Sequence, residues 1–111
     1  MLTVTVQHDP ARQRFYAVLP DQSEAELCYR HPALNGARVR PSGQQEGAVL
    51  DFYHTGVPEA FRTEGVAEQI VLAGFRYAEQ QGYHVIPSCP YVSRGFLKRH
   101  PEFQPLVAPR P

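Results

Sequence analysis

Apolar and polar residues alternate at the start of the chain: Leu2, Val4 and Val6 fall on one face, Thr3, Thr5 and Gln7 on the other. That two-residue period predicts a strand over Leu2–His8, broken by Asp9-Pro10. Arg14–Leu19 reads as a short second strand closed by Pro20-Asp21. Glu24–Arg30 alternates again, with Ala25, Leu27 and Tyr29 opposite Glu24, Glu26, Cys28 and Arg30. Three short strands joined by tight turns predict an antiparallel meander.

The stretch 31–47 holds Pro32, Gly36, Pro41, Gly43 and Gly47 and reads as a long loop with a short strand near Ala37–Arg40. Ala48–Thr55 is mostly apolar, as a central strand buried on both faces requires. From Thr63 to Gln81 the period changes to that of a helix. Val66, Ala67, Ile70, Val71, Ala73, Gly74, Tyr77 and Ala78 share one arc, and Glu68, Gln69, Arg76, Glu79 and Gln80 the other. Leu72 falls on the polar side without a reason in the pattern. Gly82 follows as a C-terminal cap. Tyr83–Pro87 is a further short strand; Pro90 opens a last helix through about Arg99, ended by Pro101, and the tail from Pro105 to Pro111 is expected to fray. The order predicts an α+β fold: a mixed sheet in which a meander is followed by a β-α-β-α unit, its last two strands parallel through a right-handed crossover.

A chain of 111 residues fits one domain spanning 1–111. Its apolar share of 42% is that of an ordinary globular protein, and the formal net charge of zero gives no electrostatic reason to expect nucleic acid or an anionic membrane as partner. With only Cys28 and Cys89, no apolar run of membrane-spanning length and no signal-like start, a reducing cytoplasm is the expected setting. The two cysteines and scattered histidines make no zinc pattern, so no metal is expected. Neither a GxxxxGK nor a GxSxG motif occurs.

The stretch with chemical content is Arg62-Thr63-Glu64-Gly65-Val66-Ala67, between the buried strand and the helix. Glycine lets backbone approach a ligand, the first helical N–H groups lack intrahelical partners, and the helix dipole adds partial positive charge. A diphosphate fits such an end, and Arg62 adds a charge-assisted donor. Arg-x-x-Gly-x-Ala in this position resembles the pyrophosphate-binding signature of the GNAT (N-acetyltransferase) superfamily.

Further pieces in order sharpen the likeness: Ala25-Glu26-Leu27 with Tyr29, His54-Thr55 with Val57-Pro58, Cys89-Pro90-Tyr91-Val92, and His100-Pro101-Glu102. Together they resemble a small subfamily of predicted acetyltransferases described as YjdJ-like or NATD-like, across nearly the whole chain apart from residues 31–47. Two departures stand out. Thr63 and Glu64 replace a glycine and a basic residue, which should weaken binding unless Glu64 points to solvent, and Arg94-Gly95 interrupts an expected helical face.

The resemblance implies a minimal GNAT-like fold with splayed parallel strands and acetyl-CoA (CoA) as cofactor. Phe52–Val57, including Tyr53, His54, Thr55 and Val57, would line the pantetheine arm. Arg62 through Ala67 (Arg62, Thr63, Glu64, Gly65, Val66, Ala67) would hold the diphosphate. The thioester would lie between Tyr53-His54 and the start of the last helix, near Cys89 and Tyr91.

Alternatives stand beside these roles. Cys89 is a nucleophile or a small buried lining residue, and His54 acts near the thioester or is a satisfied polar strand end. Tyr91 meets ligand or packs the last helix; Glu26 reads as a solvated strand residue, and His100 as a helix terminator. The implied activity is acetyl transfer to a small-molecule or protein amine. The alternatives are a CoA-binding module with little turnover and an interaction domain without ligand. The short chain leaves the acceptor side open, or completed by a partner protein.

Overall fold

The computed structural model describes residues 1–32, 38–39, 45–46 and 49–108, with side chains for 1–32 and 49–108. β1 (Gln7–Asp9), β2 (Arg14–Val18) and β3 (Glu24–Arg30) form the expected meander, each antiparallel to the next. β4 (Arg38–Val39) and β5 (Gln45–Glu46) pair antiparallel as a separate two-stranded ladder, in the stretch where one short strand was expected. β6 (Val49–Gly56) joins β3 antiparallel, and β7 (His84–Ile86) joins β6 parallel. The sheet therefore runs β1-β2-β3-β6-β7, with α1 (Val66–Gln81) as the crossover between its last two strands.

Alternation in β3 sends Ala25, Leu27 and Tyr29 into the core beneath α1. The first four residues of β6, Val49 to Phe52, are all buried as expected of a strand covered on both faces, but Tyr53 and His54 are exposed and Thr55 only half-buried, so that expectation fails over the second half of the strand. Leu72, out of phase with the helix pattern, is half-buried and packs against the core cluster. The apolar arc of α1 is thus wider than the sequence pattern suggested. Gly82, with φ of 73°, caps α1 by donating its N–H to the carbonyls of Ala78 and Glu79.

Three segments depart from expectation. Leu2, Val4 and Val6 do turn toward the core, but the ladder begins only at Gln7. The preceding residues are tied to α1 instead: the Gln69 amide donates to the Leu2 carbonyl at 2.6 Å and accepts the Val4 N–H at 3.0 Å. A side chain thus satisfies backbone groups that a neighbouring strand would otherwise take. The last helix is not uniform. Tyr91–Phe96 is a π-helical turn, with the Leu97 N–H donating to the Val92 carbonyl, and α2 (Leu97–Arg99) completes it. The widened turn contains Arg94-Gly95 while still burying Val92 and Phe96.

The last helix ends at Arg99 as expected, with a non-helical His100 before Pro101, but Pro101 then opens a separate 3₁₀ segment through Leu106. The tail beyond Pro105 is not frayed as far as Ala108: Val107 bridges β7 in parallel and the Ala108 N–H donates to the Val85 carbonyl at 2.8 Å. This covers part of the outer edge of β7, whose backbone groups would otherwise lack partners. Residues 109–111 lie outside the described part.

Helix and sheet meet most closely at Gly74. A Cβ there would lie 2.8 Å from Leu27 Cδ2 and 3.1 Å from Phe52 Cζ, both on fully buried side chains. Gly74→Val should therefore lower stability by about 2–3 kcal/mol through overpacking. Urea unfolding checks this; an unchanged midpoint would show that the core yields at this point.

Candidate functional site

The site begins where a ladder ends. β6 and β7 pair at Val49–His84, Leu50–Val85 and Asp51–Ile86. After that the Phe52 carbonyl accepts the Cys89 N–H at 2.9 Å, and the two chains separate. β6 runs on to Gly56 beside β3, but Cys28 faces His54 while Tyr29 faces Phe52, so Tyr53 is an extra bulged residue. Bulges bend the strand that carries them, and this one sits at the point of divergence. The resulting cleft, about 480 Å³, is lined by His54, Thr55, Gly56, Val57, Arg62, Ala67 and Tyr91.

One end of the cleft is the start of α1. Gly65 holds φ of 73° there, a left-handed conformation, and no side chain caps the helix. The N–H groups of the first turn, from Val66 onward, therefore face outward without intrahelical acceptors. Arg62 is fixed beside them by a 3.3 Å bond from its Nε to the Val57 carbonyl, and its guanidinium is exposed at the cleft.

The remaining residues of the motif behave differently. The Glu64 carboxylate lies 3.6 Å from the N-terminal ammonium of Met1, and its carbonyl accepts the Leu2 N–H. Its charge is thus drawn toward the chain start. Thr63 is exposed, and the Val66 side chain belongs to the core, which leaves only its backbone amide for a ligand.

Cys89 sits behind the cleft, 7% exposed, with its sulfur 3.4 Å from the Thr55 hydroxyl. It precedes the π-helical turn and its carbonyl accepts the N–H groups of Val92 and Ser93. Tyr53 is outside the described lining; the Arg30 guanidinium lies over its ring at 4.8 Å, on the sheet face away from α1.

Tyr91 is held from outside the cleft by a group in which the sequence singled out only His100. Arg99 donates to its hydroxyl at 3.2 Å and to Glu68 in the first turn of α1 at 2.9 Å. His100, stacked on Phe96 at 4.4 Å, reaches the same Glu68 oxygen at 3.0 Å. The hydrogen bonds from Arg99, then His100, hold the Glu68 carboxyl below its usual range. This clamp is complete above the ordinary carboxylate pKa and is lost as pH falls through the lowered value. The role expected for His100, helix terminator, is joined by this tie between helices, which only tertiary packing creates.

The sheet face opposite α1 carries a polar row. Arg14 bonds Glu24 at 3.0 Å and Glu26 at 3.2 Å. The other Glu26 oxygen lies 3.8 Å from His54 Nε2. Cys28 sits opposite His54 in the ladder, its thiol pushed up to about 11 by burial first and by Glu26 second. Glu26, expected as a solvated strand residue, is thus part of a charged group beside the cleft. The signal that could have found it is its pairing with Gly56, which needs the strand register. Among the described residues, no three His, Cys, Asp or Glu gather where a metal ion could be held.

The left-handed turn at Gly65 can be tested directly. Gly65→Ala should cost about 1–2 kcal/mol of stability, because Cβ crowds the backbone at positive φ. Chemical denaturation checks it; a neutral result would show that the turn relaxes into another conformation.

Comparison with known proteins agrees with this geometry. Residues 14–106 match the family model described as GCN5-related N-acetyl-transferase. The chain is also 26% identical over 99 residues to Protein NATD1 of Bos taurus, an alignment covering 88% of this chain and 75% of that protein. The family match spans β2 and β3 of the meander, the splayed strands, the Arg62–Ala67 turn and the last helix, and the chain belongs to the GCN5-related N-acetyltransferase family.

Proposed function

We propose that this protein binds acetyl-CoA in the cleft between β6 and β7 and transfers its acetyl group to an amine. The observation that carries the reading is the coincidence of an interrupted parallel ladder with an uncapped helix start and Arg62 at one cleft. A diphosphate is an apt ligand for outward N–H groups beside a guanidinium. The edge of β6 beyond Phe52 offers backbone donors and acceptors to the amide-bearing pantetheine arm, as a sheet edge does to a peptide. In that pose the thioester lies near His54, Thr55 and Tyr91, which line the cleft.

Direct transfer within a ternary complex is favoured over an acyl-cysteine. Cys89 is nearly closed off from solvent, and the Thr55 hydroxyl stands at its sulfur. Its small volume behind the strand suits a packing role.

Titration with acetyl-CoA should raise the melting temperature and move the amide resonances of residues 53–57 and 62–67 and of Cys89 and Tyr91. No thermal shift at millimolar cofactor, or shifts confined to other residues, would defeat the reading. Arg62→Ala should weaken acetyl-CoA binding about tenfold, the scale of one charge-assisted bond; calorimetry reads it, and unchanged affinity would remove Arg62 from the phosphate site. Cys89→Ser should keep amine-dependent CoA release within a few-fold of wild type. Complete loss in a folded, cofactor-binding variant would instead indicate an acyl-thiol. Binding without CoA release across a broad amine panel would leave a CoA-binding module.

A further inference from the structure

The turn that opens α1 is held from behind by residues 2–4. The Glu64 carbonyl accepts the Leu2 N–H at 3.1 Å. The Gly65 carbonyl accepts a side-chain N–H of Gln69 at 3.2 Å, along with the backbone N–H of the same residue at 3.4 Å. Both peptides are trans, so each carbonyl points opposite to the N–H that follows it. Fixing the two carbonyls therefore fixes the directions of the Gly65 and Val66 N–H groups, away from Leu2 and Gln69. Neither N–H donates to a backbone carbonyl among the described residues. Left-handed Gly65 followed by helical Val66 makes them successive donors of an anion-binding nest.

Gln69 joins that segment to the turn. Its half-buried amide donates to the Leu2 carbonyl at 2.6 Å and to the Gly65 carbonyl, while its oxygen accepts the Val4 N–H at 3.0 Å. Two acceptors and one donor leave the amide a single orientation; turned over, it would set donor against donor and acceptor against acceptor. Val4 and Val6 pack against the core and Gln7 enters the ladder with β2, so the segment carries the support of the turn back to the sheet edge. None of Leu2, Val4 and Gln69 is among the residues that line the cleft.

We infer that Gln69 is a positioning residue for the cofactor: it docks residues 2–4 onto the start of α1, and the docked segment aims the Gly65 and Val66 N–H groups at the diphosphate. The inference rests on acetyl-CoA occupying the cleft as proposed above, and it gives the phosphate turn a support that lies outside the cleft. A glycine peptide has the widest choice of φ and ψ, so this turn is the part of the site most in need of an external hold. Without the dock its donors diverge, and binding has to supply the lost order. Coupling of this kind is reciprocal: whatever the docked segment adds to cofactor affinity, bound cofactor adds to the docking. Residues 2–4 thus respond to a ligand they do not touch.

The test uses the full chain, with acetyl-CoA as the probe and calorimetry and amide hydrogen exchange as readouts. Gln69→Met keeps side-chain length and helix propensity but none of the three side-chain bonds. It should raise the Kd for acetyl-CoA about tenfold, within the usual range of coupling between sites. Leu2→Pro removes only the N–H to Glu64 and should raise the Kd about fivefold, the scale of one hydrogen bond; it decides the matter if Gln69→Met does not fold. In the wild type, acetyl-CoA should slow exchange of the Val4 amide about tenfold. A merely structural Gln69 would lower the melting temperature on substitution while leaving cofactor affinity and the Val4 amide unmoved. The inference is overturned by a folded Gln69→Met that binds acetyl-CoA within about twofold of wild type, or by a Val4 amide whose exchange ignores the cofactor. A wild-type protein that binds no acetyl-CoA ends the earlier reading and this one with it; binding by wild type and variants alike ends this one alone.

Discussion

Everything functional in this molecule depends on a hydrogen-bond ladder that stops. β6 and β7 share three paired positions, and then the Phe52 carbonyl turns to the N–H of Cys89. The bulge at Tyr53 bends β6 at that level, and the strand continues with β3 as its ladder partner. A sheet that paired to its end would have no room for a ligand. Here the strand edge, the helix start and the last helix converge on one gap.

Keeping that gap open requires its walls to be fixed independently. On one side α1 lies tight against the sheet because Gly74 lets Leu27 and Phe52 approach it. On the other, Phe75 joins Phe52 at 5.4 Å, Phe96 at 5.3 Å and Phe103 at 5.2 Å, so one aromatic cluster ties sheet, helix and C-terminal segment together. The Glu68–Arg99–His100 clamp then sets Tyr91 at the cleft wall. The return of Ala108 to β7 closes the far edge of the same unit. Apolar packing supplies the rigidity, and the charged contacts orient side chains on it.

The two faces of β6 differ in character. Thr55 and Cys89 meet on the side of α1, where the wall is buried. His54, Gly56 and Glu26 meet on the opposite side, where no described helix packs. Alternation puts neighbouring positions on opposite faces, and the odd residue introduced by the bulge shifts its phase after Phe52, so that Thr55 turns toward α1 and His54 and Gly56 turn away.

Periodicity determined a good deal alone. The alternation over Glu24–Arg30, the apolar run after Ala48 and the helical arc after Gly65 are local patterns, and each set an element and its buried face. The Arg62–Ala67 turn was legible too, because an uncapped helix start after a glycine is a property of adjacent residues. Side-chain direction was not. Glu64 turns to the Met1 ammonium and Val66 into the core, and neither follows from the motif. The π turn around Arg94-Gly95 and the pairing of Ala108 with β7 depend on what they pack against. The meeting of Glu26 with His54 and Gly56 depends on the register of two strands separated by more than twenty residues. Local patterns reflect the near-neighbour sterics and burial that sequence encodes directly; these contacts arise only when the bulged sheet sets distant residues side by side.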